Sequence, residues 1–284
     1  MIGYKVAKNG DTRVIVTIEI PEDALTNMGR SSIAVRETAK YRANKAKVIA
    51  IEDDSGTPYA SATSFNYEKK TLTYKVGETI EEPSYDPDPE EVCAEGIHYF
   101  LTRRVAELYN LSTVENGVIQ RWESNGQKYA EENFANGKLH GLCQSWFDNG
   151  LKQAESTYVE GKHHGLAQRW YHHGRMAGQA TFVDGKHHGL YRKWHCNGEL
   201  WEEATFVNGK YHGLYQLWDT SGNKWMEKTY LDGKPNGLSR RWHANGKKAE
   251  EVTYVDGEWH GTYTRWSEDG TILEEATYKN GVKV

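Results

Sequence analysis

The sequence predicts a mainly β fold: an elongated, single-layer antiparallel sheet of seven 24-residue β-hairpin repeats over residues 114–284, preceded by a small α+β domain over residues 1–113. Three observations carry this. Trp122, Trp146, Trp170, Trp194, Trp218, Trp242 and Trp266 recur every 24 residues, and a fixed period of that length marks stacked copies of one supersecondary unit. Glycines keep the same step, five residues before each Trp (Gly117 to Gly261) and four after (Gly126 to Gly270). A third set fifteen after, Gly137 to Gly281, follows an aromatic three residues earlier: Phe134, Tyr158, Phe182, Phe206, Tyr230, Tyr254 and Tyr278.

Residues 1–113 lack the period. The runs TRVIVTIEI, KAKVIAIED and KTLTYKVGE read as strands, and EEPSYDPDPEE reads as an acidic, proline-bearing loop. CAEGIHYFLTRRVAELYN then predicts a strand or turn entering an amphipathic helix, with Thr102 as N-cap and Val105, Leu108 and Tyr109 on one face.

Each repeat carries two turn signals, Asn-Gly pairs such as Asn149-Gly150 and Asn197-Gly198 and then pairs such as Asn136-Gly137 and Asp184-Gly185. Both suit two-residue hairpin turns with positive φ at the central residues. Between them lie segments rich in Trp, Tyr, Thr, Leu and Val, so each repeat is two antiparallel strands. Those turns set a register with Gly189 opposite Phe206, Gly213 opposite Tyr230, Arg192 opposite Glu203, Arg240 opposite Glu251, Gln144 opposite Glu155 and Gln216 opposite Glu227. The mid-strand Gly is then expected to lie under the aromatic ring across from it. One face should carry Trp, Leu, Thr, Glu and the recurrent histidines, the other Tyr or Phe, Gly, small residues and Arg or Lys. At a strand spacing of ~4.8 Å the sheet would run roughly 65 Å before twist, with about a two-residue stagger per repeat that a bulge would alter.

Thirty-five basic against 40 acidic residues give a formal charge of -5, which argues against a dedicated nucleic-acid or anionic-membrane surface. Cys93, Cys143 and Cys196 form neither a disulfide ladder nor a zinc spacing. With no apolar signal core and no run of about 18 apolar residues, the expectation is a cytoplasmic protein without cofactor or metal.

Units such as FVDGKHHGLYRKWHCNGELWEEATF and YLDGKPNGLSRRWHANGKKAEEVTY resemble MORN repeats, in the second variant found in bacterial antitoxin-like proteins. The resemblance covers roughly residues 114–284 and implies an interaction scaffold; some such proteins are linked to phospholipids, and the bacterial variant includes proposed toxin-neutralising partners. Asn236, Thr262, His173 and Ser221 depart from the pattern. YRANKAKVIAIE, TYKVGE and CAEGIHYFLTRRVAELY together resemble an uncharacterised domain of phage, giant-virus and bacterial proteins that stands ahead of repeats; its recognisable positions are Arg42, Lys45, Lys47, Gly77, Cys93, Gly96, Ile97 and His98. This implies a viral or bacterial setting, the cytoplasm of a bacterial host if phage-encoded, and no established chemistry.

Candidate sites follow from residue type. Cys93 with His98 has the composition of a nucleophile and base, but no positioned third residue accompanies them, and a structural Cys and His is the preferred reading. Arg42, Lys45 and Lys47 suit an anion, against a solvated basic strand as the plainer reading. The histidine ladder would space equivalent side chains ~9.6 Å apart, too far for one zinc ion. Where the frame is constant and a slot varies, recognition is expected: Tyr191, Tyr215 and Tyr263 share a slot with Ala167, Cys143 and Ser239, flanked by Arg169, Lys193, Arg241 and Arg265, a set suited to a protein interface, against a solvated face shielding the Tyr/Phe row as the plainer reading. The function expected is a non-enzymatic protein-binding scaffold, toxin-neutralising or phage counter-defence in its most concrete form, with self-association through the sheet ends or the N-terminal domain. The alternatives are an N-terminal enzyme or small-molecule binder with the repeats as targeting arm, and phospholipid association.

Overall fold

The computed structural model describes residues 1–65, 71–112 and 114–284. The chain divides into two compact units, Met1–Glu131 and Glu132–Val284.

In the first unit the strands are β1 (Ile2–Asn9), β2 (Thr12–Glu19), β3 (Lys40–Ala43), β4 (Lys45–Glu52), β5 (Ser61–Thr63), β6 (Thr73–Lys75), β7 (Thr79–Glu81) and β8 (Ile97–Phe100), followed by the helix α1 (Arg103–Leu108) and strand β9 (Gly117–Trp122). β1 to β8 form one sheet in the order β3-β8-β1-β2-β4-β7, with β5 pairing β1 and β6. The alternation along β2 feeds two cores: Val14, Val16 and Ile18 join Tyr41, Val48, Ile51, Tyr74, Ile97 and Tyr99, while Ile15 joins Val6, Phe100, Val105 and Ala106. The strand-like runs fall on β2, β4 and β6; Lys70, at the start of the third, and Thr113, at the expected domain boundary, lie outside the described residues. β1 was not among the strands expected, although it pairs along its whole length with β2 across a Gly10-Asp11 turn. Thr102 occupies the N-cap position but makes no side-chain cap bond, and α1 stops after six residues.

The compact unit runs on to Glu131 because a loop of the N-terminal domain grips the first turn of the repeat series. Ala34 N–H and Val35 N–H both donate to Asn125 O, at 2.9 and 3.1 Å, and Lys40 N–H donates to Ser124 O at 3.1 Å. Thr38 Oγ1 donates to Gly126 O at 2.6 Å, and the Arg30 guanidinium to Ser124 O. Gly126 is needed there: at φ +91, a β-carbon would lie 1.9 Å from Val35 O.

In the second unit, antiparallel strands alternate as the repeat predicts. First strands such as Lys162–Trp170, Lys186–Trp194, Lys210–Trp218 and Lys234–Trp242 end on the framework Trp, and second strands such as Met176–Val183, Leu200–Val207, Lys224–Leu231 and Lys248–Val255 return. All six registers read from the sequence are present. The turn that leads into each first strand, of the Asp184-Gly185 kind, is the two-residue one expected, with positive φ at both residues, Asp184 at 48° and Gly185 at 79°.

The second kind differs. Gly150 N–H donates to Phe147 O at 2.9 Å and Phe147 N–H to Leu151 O at 2.8 Å; in this turn Gly150 (φ 80) is the positive-φ residue and Asn149 is not. It is a longer turn closed by a left-handed glycine. The register survives because a bulge follows at once: Trp194 pairs with Leu200 but Lys193 with Glu202, which leaves Trp201 unpaired. The two irregularities cancel.

A second bulge removes the expected stagger. Val207 pairs with Lys210 and Phe206 with Tyr211, yet Ala204 pairs with Tyr215, so three residues, His212, Gly213 and Leu214, stand opposite Thr205. The two extra residues offset the two-residue slip, and equivalent positions of successive repeats fall into straight lateral rows: Arg192, Glu203, Gln216, Glu227, Arg240 and Glu251 form one. The mid-strand Gly also answers to its backbone, φ +91 at Gly189 and +87 at Gly213, where a β-carbon would meet Thr181 at Gly189 and nothing within 4 Å at Gly213.

Candidate functional site

The straight rows give the repeat sheet two chemically different faces. On one, the second residue after the two-residue turn meets the recurrent aromatic of the strand before it, and the rings run on without a gap: Tyr158, His163, Phe182, His187, Phe206, Tyr211 and Tyr230, with successive centroids 4.3, 5.0, 4.3, 5.1, 4.4 and 5.2 Å apart. Pro235 occupies the slot next to Tyr230 and keeps the carbonyl the fold uses there, which accepts from Gly257 N–H at 2.8 Å. Packing within this row desolvates the imidazoles, and burial holds His163 and His187 below their ordinary pKa. Of these first-strand positions the sequence drew attention to His163 and His187 only as histidines weighed against a metal, and not to the ring row they build; the signal was the variable residue between Lys and His in each G-K-x-H-G, filled by His, His and Tyr in consecutive copies.

Beside the rings lies the variable slot, where Ala180, Tyr191, Ala204, Tyr215 and Lys228 are lateral neighbours. Tyr191 and Tyr215 meet the ring row edge-on, with Phe206 at 5.6 Å and Tyr230 at 6.0 Å. Burial pushes the Tyr215 hydroxyl up, aided by Glu202. Tyr263 shares the slot but is buried, stacked on Trp259 at 4.9 Å. The next row holds Arg169, Lys193, Arg241 and Arg265 on the same face. Lys193 Nζ is 3.2 Å from Glu202, while Arg169, Arg241 and Arg265 are exposed, the latter two within 4.0 and 3.9 Å of Glu250 and Glu274. The structure thus brings all seven residues to one face and leaves the guanidiniums of Arg169, Arg241 and Arg265 exposed.

Two side chains on this face were not foreseen. The bulge after the second turn pushes out Trp201 and Trp225, 41 % and 38 % exposed, and Lys193 Nζ sits 5.1 Å over the Trp201 ring. Leu217, 9 % exposed, pairs with Glu202 on one side and Met226 on the other and so floors the gap between the two indoles. The signal was arithmetic: of ten tryptophans, Trp201, Trp225 and Trp259 fall off the frame, and the first two share a slot one period apart.

The opposite face is spent on itself. Arg192 bonds Glu203 at 2.6 Å, and Arg240 bonds Glu251 at 2.7 Å and Glu227 at 3.0 Å. Lys152 reaches Glu155 at 2.6 Å and lies 5.4 Å over the Trp170 ring, and hydrogen bonding to Lys152 holds the Glu155 carboxyl below its usual range. Leu142, Leu166 and Leu214 are exposed along this face. His212 Nδ1 stands 3.5 Å from Asp232, in the turn that opens the following repeat.

The N-terminal candidates separate. Arg42 is fully buried; its guanidinium donates to the carbonyls of Asp86 at 3.0 Å, Glu95 at 2.9 Å and Asp88 at 2.6 Å and stacks 5.0 Å from the Tyr85 ring, clamping the acidic loop. It is neither a solvated strand residue nor a free anion ligand. Lys45 pairs with Asp23, and Lys47 is exposed. His98 stands opposite Arg42, bonds Val92 O through Nε2 at 2.9 Å, and is held neutral, its pKa pushed down to about 3 by burial and then by Lys40 and Lys5. Cys93 is exposed, and among the described residues no hydrogen bond joins it to His98. Among those residues no three His, Cys, Asp or Glu side chains converge to hold a metal, and no helix is long and apolar enough to cross a membrane.

Residues 1–106 match the model of a family of unknown function, DUF5758. Residues 188–208, 235–256 and 259–280 match the MORN repeat variant. No curated protein matches the chain. The chain therefore carries an N-terminal domain of that uncharacterised kind followed by MORN-variant repeats, and such repeats support a binding scaffold in general terms.

Proposed function

We propose that the chain is a non-enzymatic scaffold that binds another protein through the ring-bearing face of its repeat sheet. The observation that carries this is the asymmetry of the faces: one turns its charges to close Arg–Glu and Lys–Glu bonds, while the other exposes Trp201 and Trp225 together with the exposed guanidiniums of Arg169, Arg241 and Arg265, the latter two standing only 4.0 and 3.9 Å from Glu250 and Glu274. Exposed Trp with flanking Arg is the composition of interface hot spots. The enzymatic alternative draws no support from the N-terminal residues, because Arg42 is consumed by loop carbonyls and His98 is neutral and bonded to the backbone. Neutralisation of a toxin or of a host defence protein is the more specific form of the reading.

The test is affinity capture with the full chain, wild type against Arg169→Glu/Arg241→Glu/Arg265→Glu and against Leu142→Ser/Leu166→Ser/Leu214→Ser. A partner held by wild type and by the leucine variant but lost from the charge-reversed one is the expected outcome. A partner lost only from the leucine variant would place binding on the other face and refute the proposal.

A further inference from the structure

The bulged tryptophans sit on a ruler. Straight rows put equivalent residues of successive repeats two strand spacings apart, ~9.6 Å, so Trp201 and Trp225 stand like two posts at that distance with Leu217 between them. Tyr191 and Tyr215 repeat the same interval in the adjoining slot row, giving a second pair of aromatic side chains in parallel. Arg241 continues the row one strand past Met226, and Lys193 closes the other end against Glu202.

An extended β-strand laid across such a surface presents side chains to it about every 6.7 Å, out of step with the posts. A polyproline II helix does not: three residues per turn at a rise of ~3.1 Å return the same side of the chain every ~9.3 Å. Its prolines also lose little conformational freedom on docking into aromatic-lined grooves. The geometry points to a proline-rich segment in polyproline II conformation as the occupant, with residues one turn apart packed against Trp201 and Trp225 and a carboxylate of the same segment meeting Arg241. This rests on the protein-binding reading above and names the chemistry of the partner.

The experiment uses the full chain with its indoles labelled with nitrogen-15, the signals of Trp201 and Trp225 being assigned by Trp201→Phe and Trp225→Phe. The probe is an oligoproline peptide with a glutamate at each end; a Gly-Ser peptide of equal length and charge and a cello-oligosaccharide are the comparisons. Saturable shifts of the Trp201 and Trp225 indoles by oligoproline alone are expected, with affinity at least about tenfold lower for Trp201→Ala/Trp225→Ala. Arg241→Glu, which leaves the indoles in place, weakens binding in the same direction. Equal shifts with the Gly-Ser peptide, shifts confined to framework indoles, or a response to the glycan and not to oligoproline would each overturn the assignment. If oligoproline fails while a captured protein still depends on the ring-bearing face, the polyproline reading falls and the scaffold reading stands. If no captured protein depends on that face, the scaffold reading falls with it.

Discussion

Replacing Gly126 by alanine tests how the N-terminal domain holds the first repeat turn, and Gly246→Ala supplies the internal control. Both glycines occupy the same place in the same kind of turn, with φ of +91 and +79. At Gly246 a β-carbon meets nothing within 4 Å, so the cost is that of a left-handed alanine, roughly 1–2 kcal/mol. At Gly126 the same atom would lie 1.9 Å from Val35 O and 2.8 Å from Ala39 N, both backbone. The loop must withdraw, and five hydrogen bonds go with it: those from Ala34, Val35 and Lys40 N–H, from Thr38 and from Arg30. At about 1 kcal/mol each, Gly126→Ala should cost some 5 kcal/mol beyond the control. Hydrogen exchange at the amides of Ala34, Val35 and Lys40 reads this directly, because those three protons are donated to the turn. Exchange faster by up to several thousandfold in Gly126→Ala and unchanged in Gly246→Ala is expected; similar behaviour of the two variants would refute the grip.

Three further outcomes follow from the same geometry. Gly213→Ala, with open space at the β-carbon, should cost roughly 1–2 kcal/mol in urea unfolding, and Gly237→Ala more, since its β-carbon would stand 3.2 Å from Thr229; the reverse order would contradict the bulge. Arg42→Ala leaves three carbonyls without their charged donor and should destabilise the first unit by about 3–5 kcal/mol and open residues 82–96 to proteolysis, whereas an unchanged cleavage pattern would show that the clamp is idle. His163 and His187 are held below the ordinary 6.5 in the folded chain, so the unfolded state takes up more protons as pH falls: their contribution is complete above about 6.5 and is lost below it. Urea midpoints at pH 7 and 5.5 should differ less in His163→Phe/His187→Phe than in wild type, and an identical difference would remove these two histidines from the account.

Much of the array was legible because repetition within one chain acts as its own comparison: a residue recurring seven times in step must answer to one backbone environment. Arg192 opposite Glu203 and Gly213 opposite Tyr230 could be read from turn positions alone. The reading of both turns as two-residue loops was wrong for one of them, yet it gave the right register, because the longer turn ending at Gly198 and the bulge at Trp201 cancel. Counting positions cannot detect a pair of compensating irregularities. The bulge at His212-Gly213-Leu214 was hidden for a related reason: a strand glycine fits a regular extended strand and a positive φ alike, and residue identity does not tell the two apart. Straight rows, and with them the spacing of Trp201 and Trp225, depend on that one choice. In the N-terminal domain the strands were recognisable from β-branched alternation, but the burial of Arg42 was not, since its partners are carbonyls of Asp86, Asp88 and Glu95 and a carbonyl has no signature in sequence.

The measurement that bears most directly on the scaffold reading is hydroxyl-radical footprinting of the full chain with and without a captured partner, because it reports side chains and so tells the two faces of one sheet apart. Protection of Trp201, Trp225 and Met226, with Leu142, Leu166 and Leu214 labelled as before, is the predicted pattern. Protection of the three leucines with Trp201 and Trp225 still reactive would contradict it.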